Sequence, residues 1–218
     1  MALQDIRTNE LFVVDDDAMI RDALSVVFTL AGYRVTGFAD SETFLAAARK
    51  HTPACILLDL HLPDKSGVTV LKELNAQNYP APIFIVTGDG DVGCAVEAVK
   101  SGAFDYLVKP FDARSIVIRV AGAIAAFKKS GIYANVGNGW AKFSGEALLT
   151  RREREVLAQI AAGASNKEAG RRLGISPRTI EVHRARIMEK IGARNAADLV
   201  RIVLSSSNGH ASAPSLVA

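Results

Sequence analysis

Residues 55–59, CILLD, decide the fold: four apolar residues closed by a single carboxylate, Asp59. A short continuous apolar run ending in a polar residue reads as a buried parallel strand that delivers that residue to the carboxyl edge of a sheet. The same pattern recurs three times. LFVV (11–14) ends in Asp15 and Asp16, IFIV (83–86) ends in Thr87, and YLV (106–108) ends in Lys109. In open α/β sheets ligands and chemistry sit at that edge. Three carboxylates, a hydroxyl and an ammonium gathered there make a phosphoryl-transfer site.

Working outward, the first 128 residues alternate strand and helix signals. Strands are expected at Leu11–Val14, Arg34–Phe38, Cys55–Leu58, Ile83–Val86 and Tyr106–Val108. Amphipathic helical segments fall between and after them, at about 18–31, 41–50, 67–75, 92–101 and 112–127. Gly32 and Gly102 are expected as helix-ending glycines. Five such units predict a five-stranded, parallel, doubly wound sheet covered on both faces. A (β/α)₈ barrel needs eight units and about twice the residues.

Residues 129–148 (KSGIYANVGNGWAKFSGEAL) break this pattern with four glycines and two asparagines and read as a linker. Tyr133 and Trp140 would dock there by packing. From Leu149 to Ser205 the pattern is all helical, and the small polar residues beyond it are expected to be disordered. The organisation expected is therefore a first domain over 9–128, a linker over 129–145, a helical domain over 146–206 and a tail over 207–218.

Charge follows the same division. Residues 1–130 carry 13 Lys and Arg against 16 Asp and Glu, whereas residues 131–218 carry 13 against 7. An acidic front joined to a basic back suggests a regulatory module attached to a polyanion binder. Cys55 and Cys94 lie in apolar segments without metal-like spacing and are expected as reduced core residues. No apolar stretch approaches the roughly 18 residues that span a bilayer, and the first residues lack a signal-peptide pattern. A cytoplasmic protein is expected.

Three carboxylates at one edge repel one another unless a cation neutralises them. Oxygen ligands with room for water suit Mg²⁺ better than zinc. Asp59, alone at the end of its strand, is the candidate nucleophile, and its attack on phosphorus would give an acyl phosphate. Lys109 would offset charge on the transferring oxygens, and Thr87 would hydrogen-bond one of them. Asp17 reads as a partner for the following helix N-terminus.

The basic module reads as a helix-turn-helix. LTRREREVLAQIAAG carries Val156, Leu157, Ile160 and Ala161 on one face, and SNKEAGRRLG is a short helix closed by Gly174. The next helix begins with Ser176 as N-cap and Pro177 at its first position. A helical wheel places Ile180, His183, Ile187 and Ile191 on one side, and Arg178, Glu181, Val182, Ala185 and Glu189 opposite. A recognition helix needs that division between core and major groove. Val182 and Ala185 would allow close approach to bases, and Glu181 could accept from cytosine. Lys167, Arg178 and Arg186 suit phosphates. Arg184 is expected to pair with Glu153 or Glu155. His183 stands open between a phosphate contact and a half-buried imidazole.

The motifs VVDDD, LLDLHLPDKSG, IVTGDGD and FDYLVKPF, in order, closely resemble the receiver (response regulatory) domain of two-component response regulators, over about residues 9–128. The run LTRREREVL, SNKEA, LGIS, RTIEVHRARIMEKI and RNAADLVR resembles the LuxR-type DNA-binding domain, over about 146–205. Together they resemble the NarL/FixJ family. That resemblance implies a CheY-like, flavodoxin-like α/β receiver followed by a small four-helix DNA-binding domain. It implies Asp59 as the phosphoacceptor that becomes 4-aspartylphosphate, and Mg²⁺ held by Asp15, Asp16, Asp59 and the backbone carbonyl of His61. Thr87 and Tyr106 would be the switch pair, and Lys109 would contact the phosphoryl group beside a cis bond to Pro110. Lys167, Arg178, Thr179, Glu181, Val182, His183, Ala185 and Arg186 would meet DNA. Ala197, Leu199, Val200 and Val203 on a fourth helix (about Asn195–Leu204) would pair two copies, or would close the domain's own core.

The implied partners are a sensor histidine kinase, double-stranded DNA, a second copy of the phosphorylated chain and RNA polymerase. The implied activity is a phosphorelay signal-transduction role in transcription regulation, with catalysis confined to the chain's own phosphotransfer and dephosphorylation. His61 and Asp89 flank the path of a hydrolytic water and would tune the acyl-phosphate lifetime. Ala169-Gly170 departs from the commonest family pattern, Ile-Ala, and a glycine there costs up to about 1 kcal/mol against alanine. Three rivals stay open. Asp15-x-Asp17 resembles the haloacid dehalogenase spacing, although Met19 stands where Thr or Val is wanted. The receiver shape could serve as a constitutive dimeriser, or the helical module could act through protein contacts.

Overall fold

The computed structural model describes residues 6–88, 92–133 and 148–205. Five strands, β1 (Ile6–Val14), β2 (Arg34–Phe38), β3 (Thr52–Asp59), β4 (Ile83–Thr87) and β5 (Asp105–Val108), pair in the order β2-β1-β3-β4-β5. Every pairing is parallel. Alternate residues feed two apolar layers. Leu11, Val13, Leu57 and Phe84 face one side of the sheet, and Phe12, Val14, Ile56, Leu58 and Ile85 face the other. Both faces are covered by helices, which is why these strands read as unbroken apolar runs.

Helices α1 (Ala18–Leu30), α2 (Ser41–Lys50), α3 (Gly67–Glu73), α4 (Val92–Lys100) and α5 (Ala113–Tyr133) alternate with the strands. Asp17 caps α1 by accepting from the Met19 N–H, as expected of it. Gly67 opens α3 where a Cβ would lie 2.5 Å from the Asp59 carbonyl oxygen. Only glycine lets the chain turn back that closely under the end of β3. Helix α5 runs to Tyr133, into the stretch expected as linker from residue 129. Trp140 and the tail beyond Ser205 lie outside the described residues, as does Asp89.

The second domain comprises α6 (Arg151–Ala161), α7 (Asn166–Leu173), α8 (Pro177–Ile191) and α9 (Ala196–Ser205). Thr150–Glu153 and Ser165–Glu168 form capping boxes, and Ser176 caps α8 with Pro177 at its first position. Gly170 has a packing reason for its helix cost. A Cβ there would meet the Ile175 carbonyl oxygen at 2.7 Å, so glycine brings α7 against the turn into α8. Of the two cysteines, Cys55 is buried in the core as expected, but Cys94 is exposed on α4.

Candidate functional site

Parallel pairing in register carries the ends of β1, β3 and β4 to one rim, with Lys109 just past the end of β5. Asp15 and Asp59 are 2% and 6% exposed, Thr87 is buried, and Asp16 faces solvent. One carboxylate oxygen from each of Asp15, Asp16 and Asp59 lies within 4.8 Å of the others. The Lys109 ammonium donates to Asp15 Oδ2 at 2.8 Å and to Asp59 Oδ2 at 2.7 Å. The peptide bond before Pro110 is cis, as the resemblance implied.

Charge is unbalanced in this pocket. Burial pushes the Asp15 carboxyl above its ordinary value despite the hydrogen bond from Lys109, with the Asp59 charge adding to the rise. Burial also works against the Lys109 charge, but its bonds to Asp15 and Asp59 outweigh it and hold the ammonium above its usual value. The two directions describe one fact: the Asp15 and Asp59 carboxylates share one ammonium. An oxygen-only cluster short of positive charge fits a hard divalent ion such as Mg²⁺.

Two main-chain devices hold the rim. Asp59 Oδ1 accepts from the His61 N–H at 3.1 Å, fixing the carboxylate against the loop that returns to Gly67. Arg21 Nη1 donates to the main-chain oxygens of Asp15 at 2.7 Å and Asp16 at 2.9 Å. Sequence reasoning missed Arg21. Its signal was a cation four residues into α1, near the helix end whose dipole disfavours it. Thr87 and Tyr106 flank the rim from β4 and β5. Thr87 is buried and Tyr106 is half-buried against the core.

The expected DNA-reading helix, α8, is not free. Its N-terminus seats on the receiver at Asp105, the first residue of β5. Asp105 is 0% exposed and accepts from Thr179 Oγ1 at 2.5 Å, from the Ser176 N–H at 3.0 Å and from Arg119 Nη2 at 2.7 Å. Arg186 donates to the Lys100 carbonyl at 2.7 Å, and the Arg152 guanidinium lies 4.3 Å over the Phe104 ring. Asp105 had no role in the sequence reading, because its partners stand more than 70 residues away.

In this arrangement the residues expected to meet DNA differ in exposure. Thr179 is buried under Asp105, and Val182 and His183 are buried too; Lys167, Arg178, Glu181 and Ala185 are exposed, and Arg186 is half-buried. Arg178 pairs with Glu181 at 3.0 Å. Arg184 bonds the Asn166 amide oxygen rather than either glutamate. Glu153 is taken by Lys190 at 2.7 Å and Arg186 at 3.7 Å; burial alone would raise its carboxyl, but Lys190 and the Thr150 N–H hold it below the ordinary range. On α9, Leu199 and Val203 are buried in the domain's own core, Val200 is partly buried against it, and Ala197 is exposed. Within one chain the core-closing role of Leu199 and Val203 holds.

An acidic rim with its lysine on a five-stranded parallel sheet, joined to a capped helix-turn-helix, defines a DNA-binding response regulator. Residues 11–121 match the response regulator receiver domain, and residues 147–203 match the bacterial regulatory proteins of the luxR family. The chain belongs to the family of receiver-plus-LuxR-type regulators. It is 40% identical over 194 residues to the transcriptional regulatory protein FixJ of Bradyrhizobium diazoefficiens, spanning 89% of this chain and 94% of that one. It is 38% identical to the C4-dicarboxylate transport regulatory protein DctR of Rhodobacter capsulatus, over 87% of this chain and 96% of DctR. The crystal structure of full-length FixJ from B. japonicum superposes with a TM-score of 0.54 at 38% identity, covering 91% of this chain and 97% of that one. Among the described residues no helix is long and apolar enough to cross a membrane.

Proposed function

We propose that Asp59 accepts a phosphoryl group from a sensor histidine kinase and that this event controls how α8 meets DNA. The observation that carries the reading is the Lys109 ammonium held 2.7 Å from Asp59 at a rim of acids. An Asp59 carboxylate oxygen attacks the phosphorus of a phosphohistidine, the P–N bond breaks, and the imidazole leaves. Asp15, Asp16, Asp59 and the His61 carbonyl would hold Mg²⁺, which supplies charge neutralisation to the transferring oxygens. Lys109 neutralises a further oxygen, and Thr87 donates to another. The chain is then a phosphoacceptor whose catalysis ends with its own dephosphorylation, working in the cytoplasm on no outside substrate.

The seam at Asp105 supplies the switch. Tyr106 follows Asp105 directly, so movement of the Thr87–Tyr106 pair is movement of the strand that holds Ser176 and Thr179. Release of α8 frees Thr179 and Val182 for the major groove, and two released chains pair on a two-fold site in reach of RNA polymerase. A phosphoryl group shifts this balance only by favouring the released state over the docked one. With a phosphodonor and Mg²⁺, wild type forms an acid-stable, hydroxylamine-labile adduct and binds its DNA more tightly. Asp59→Asn does neither. A DNA response that survives in Asp59→Asn overturns the scheme.

A further inference from the structure

The three acids of the rim are not held alike. Asp59 Oδ1 accepts from the His61 N–H and its Oδ2 from Lys109. Asp15 Oδ1 accepts from the Asp17 N–H at 3.0 Å and its Oδ2 from Lys109. The Asp16 carboxylate is exposed, and among the described residues no hydrogen bond or ion pair fixes it. Its direction is therefore set by its main chain, which Arg21 grips on both sides. The Asp15 and Asp16 carbonyls belong to the two peptide planes that flank the Asp16 Cα, and Arg21 Nη1 donates to both, at 2.7 and 2.9 Å. Because each peptide unit is planar, fixing both planes fixes φ and ψ between them, and with them the Cα–Cβ bond. Arg21 is itself braced. Its N–H donates to the Asp17 carbonyl at 3.1 Å, and its stem passes so close over Gly37 of β2 that a Cβ there would stand 3.5 Å from Arg21 Cδ.

We infer that Arg21 is a positioning residue for the metal: by clamping these two carbonyls it turns the Asp16 carboxylate into the space shared with Asp15 and Asp59. The inference rests on the reading that this rim holds Mg²⁺. Groups that orient metal ligands from outside govern about 10–100-fold of metal affinity. Charge alone would give Arg21 the opposite effect. A guanidinium near the acids repels an incoming cation, so its removal would tighten Mg²⁺. Loss of a clamp loosens Mg²⁺ instead, because Asp16 then pays to be ordered each time the ion binds. The sign of the change separates the two roles.

Titrating Mg²⁺ into the unphosphorylated full-length protein, with amide resonances of the folded state as the readout, gives the dissociation constant without reference to turnover or to stability. Arg21→Met raises that constant by about tenfold or more, and Arg21→Lys, which keeps the charge and a donor, raises it less. In an Asp16→Ala background the ligand to be positioned is gone, so adding Arg21→Met changes the constant by less than about twofold. Phosphorylation of Arg21→Met by a small phosphodonor then needs more Mg²⁺ but reaches the wild-type rate once the metal saturates. Mg²⁺ bound by Arg21→Met as tightly as by wild type, or more tightly, overturns the inference. So does an Arg21→Met loss that persists in full in Asp16→Ala. Wild type that binds no Mg²⁺ overturns the metal reading of the rim together with it.

Discussion

Asp59 and Asp105 are both carboxylates at strand ends of one sheet, and their surroundings are opposite. Asp59 stands at the carboxyl rim among other acids, with one ammonium divided between it and Asp15. Asp105 stands at the start of β5 with donors from Arg119, Ser176 and Thr179. The first arrangement leaves acceptor capacity and negative charge to spare, which a cation and a phosphoryl group can use. The second is saturated and does one thing: it holds another domain. An acid short of donors is a reaction site, and an acid fully supplied with them is a fastener.

Breaking the fastener should have the largest effect. Asp105→Ala removes three hydrogen bonds across or beside the seam, each worth about 1 kcal/mol, so fluorescence anisotropy should show unphosphorylated protein binding operator DNA on the order of 10–100-fold more tightly. Phosphorylation at Asp59 should persist in that variant. Unchanged DNA affinity would leave the seam without a regulatory role.

The shortage of charge at the rim comes next. Lys109→Met leaves Asp15 and Asp59 facing each other without their ammonium, which should cost about 2 kcal/mol in urea unfolding. Millimolar Mg²⁺ should restore most of that loss in the variant and add less to wild type. An equal Mg²⁺ gain in both proteins would show that Lys109 does not do the neutralising.

The third effect depends on pH and concerns His183. Burial pushes its imidazole down to about 3, with Arg152, Arg186 and Lys190 adding to the fall and Glu153 opposing it. The unfolded chain takes up that proton near pH 6.5 and the folded one does not until about 3, so stability is full above about 6.5 and declines below it. The slope should approach about 1.4 kcal/mol per pH unit between pH 6 and 4. His183→Phe should abolish the slope; a slope that survives assigns it to other groups.

Much of this molecule is legible in its sequence, and the reasons are local. Strands buried on both faces write themselves as apolar runs, and each rim residue follows its run directly. The helix caps Asp17, Ser176 and Gly174 are equally local. Long-range relations are less visible. Asp105 reads as an ordinary polar residue because its partners are remote in the chain. Gly170 reads as a weak point in a helix until the Ile175 carbonyl is found beside it. Gly131 reads as a breaker, but α5 continues through it. On α9 one apolar stripe serves core or partner alike, and only the fold shows that Leu199 and Val203 face inward.

Strand β5 is four residues long, with Asp105 at one tip and Lys109 just beyond the other. At about 3.3 Å per residue the span is roughly 13 Å. Among the described residues β5 is the outermost strand and pairs with β4, while Arg119 Nη2 donates to its Tyr106 carbonyl at 2.7 Å. The acid rim and the docked domain are thus mounted on the two ends of one short rod, and under the proposed switch the message would travel along a backbone instead of through the interior. Such a layout makes the output exchangeable: a different module needs only to grip the tip of that rod.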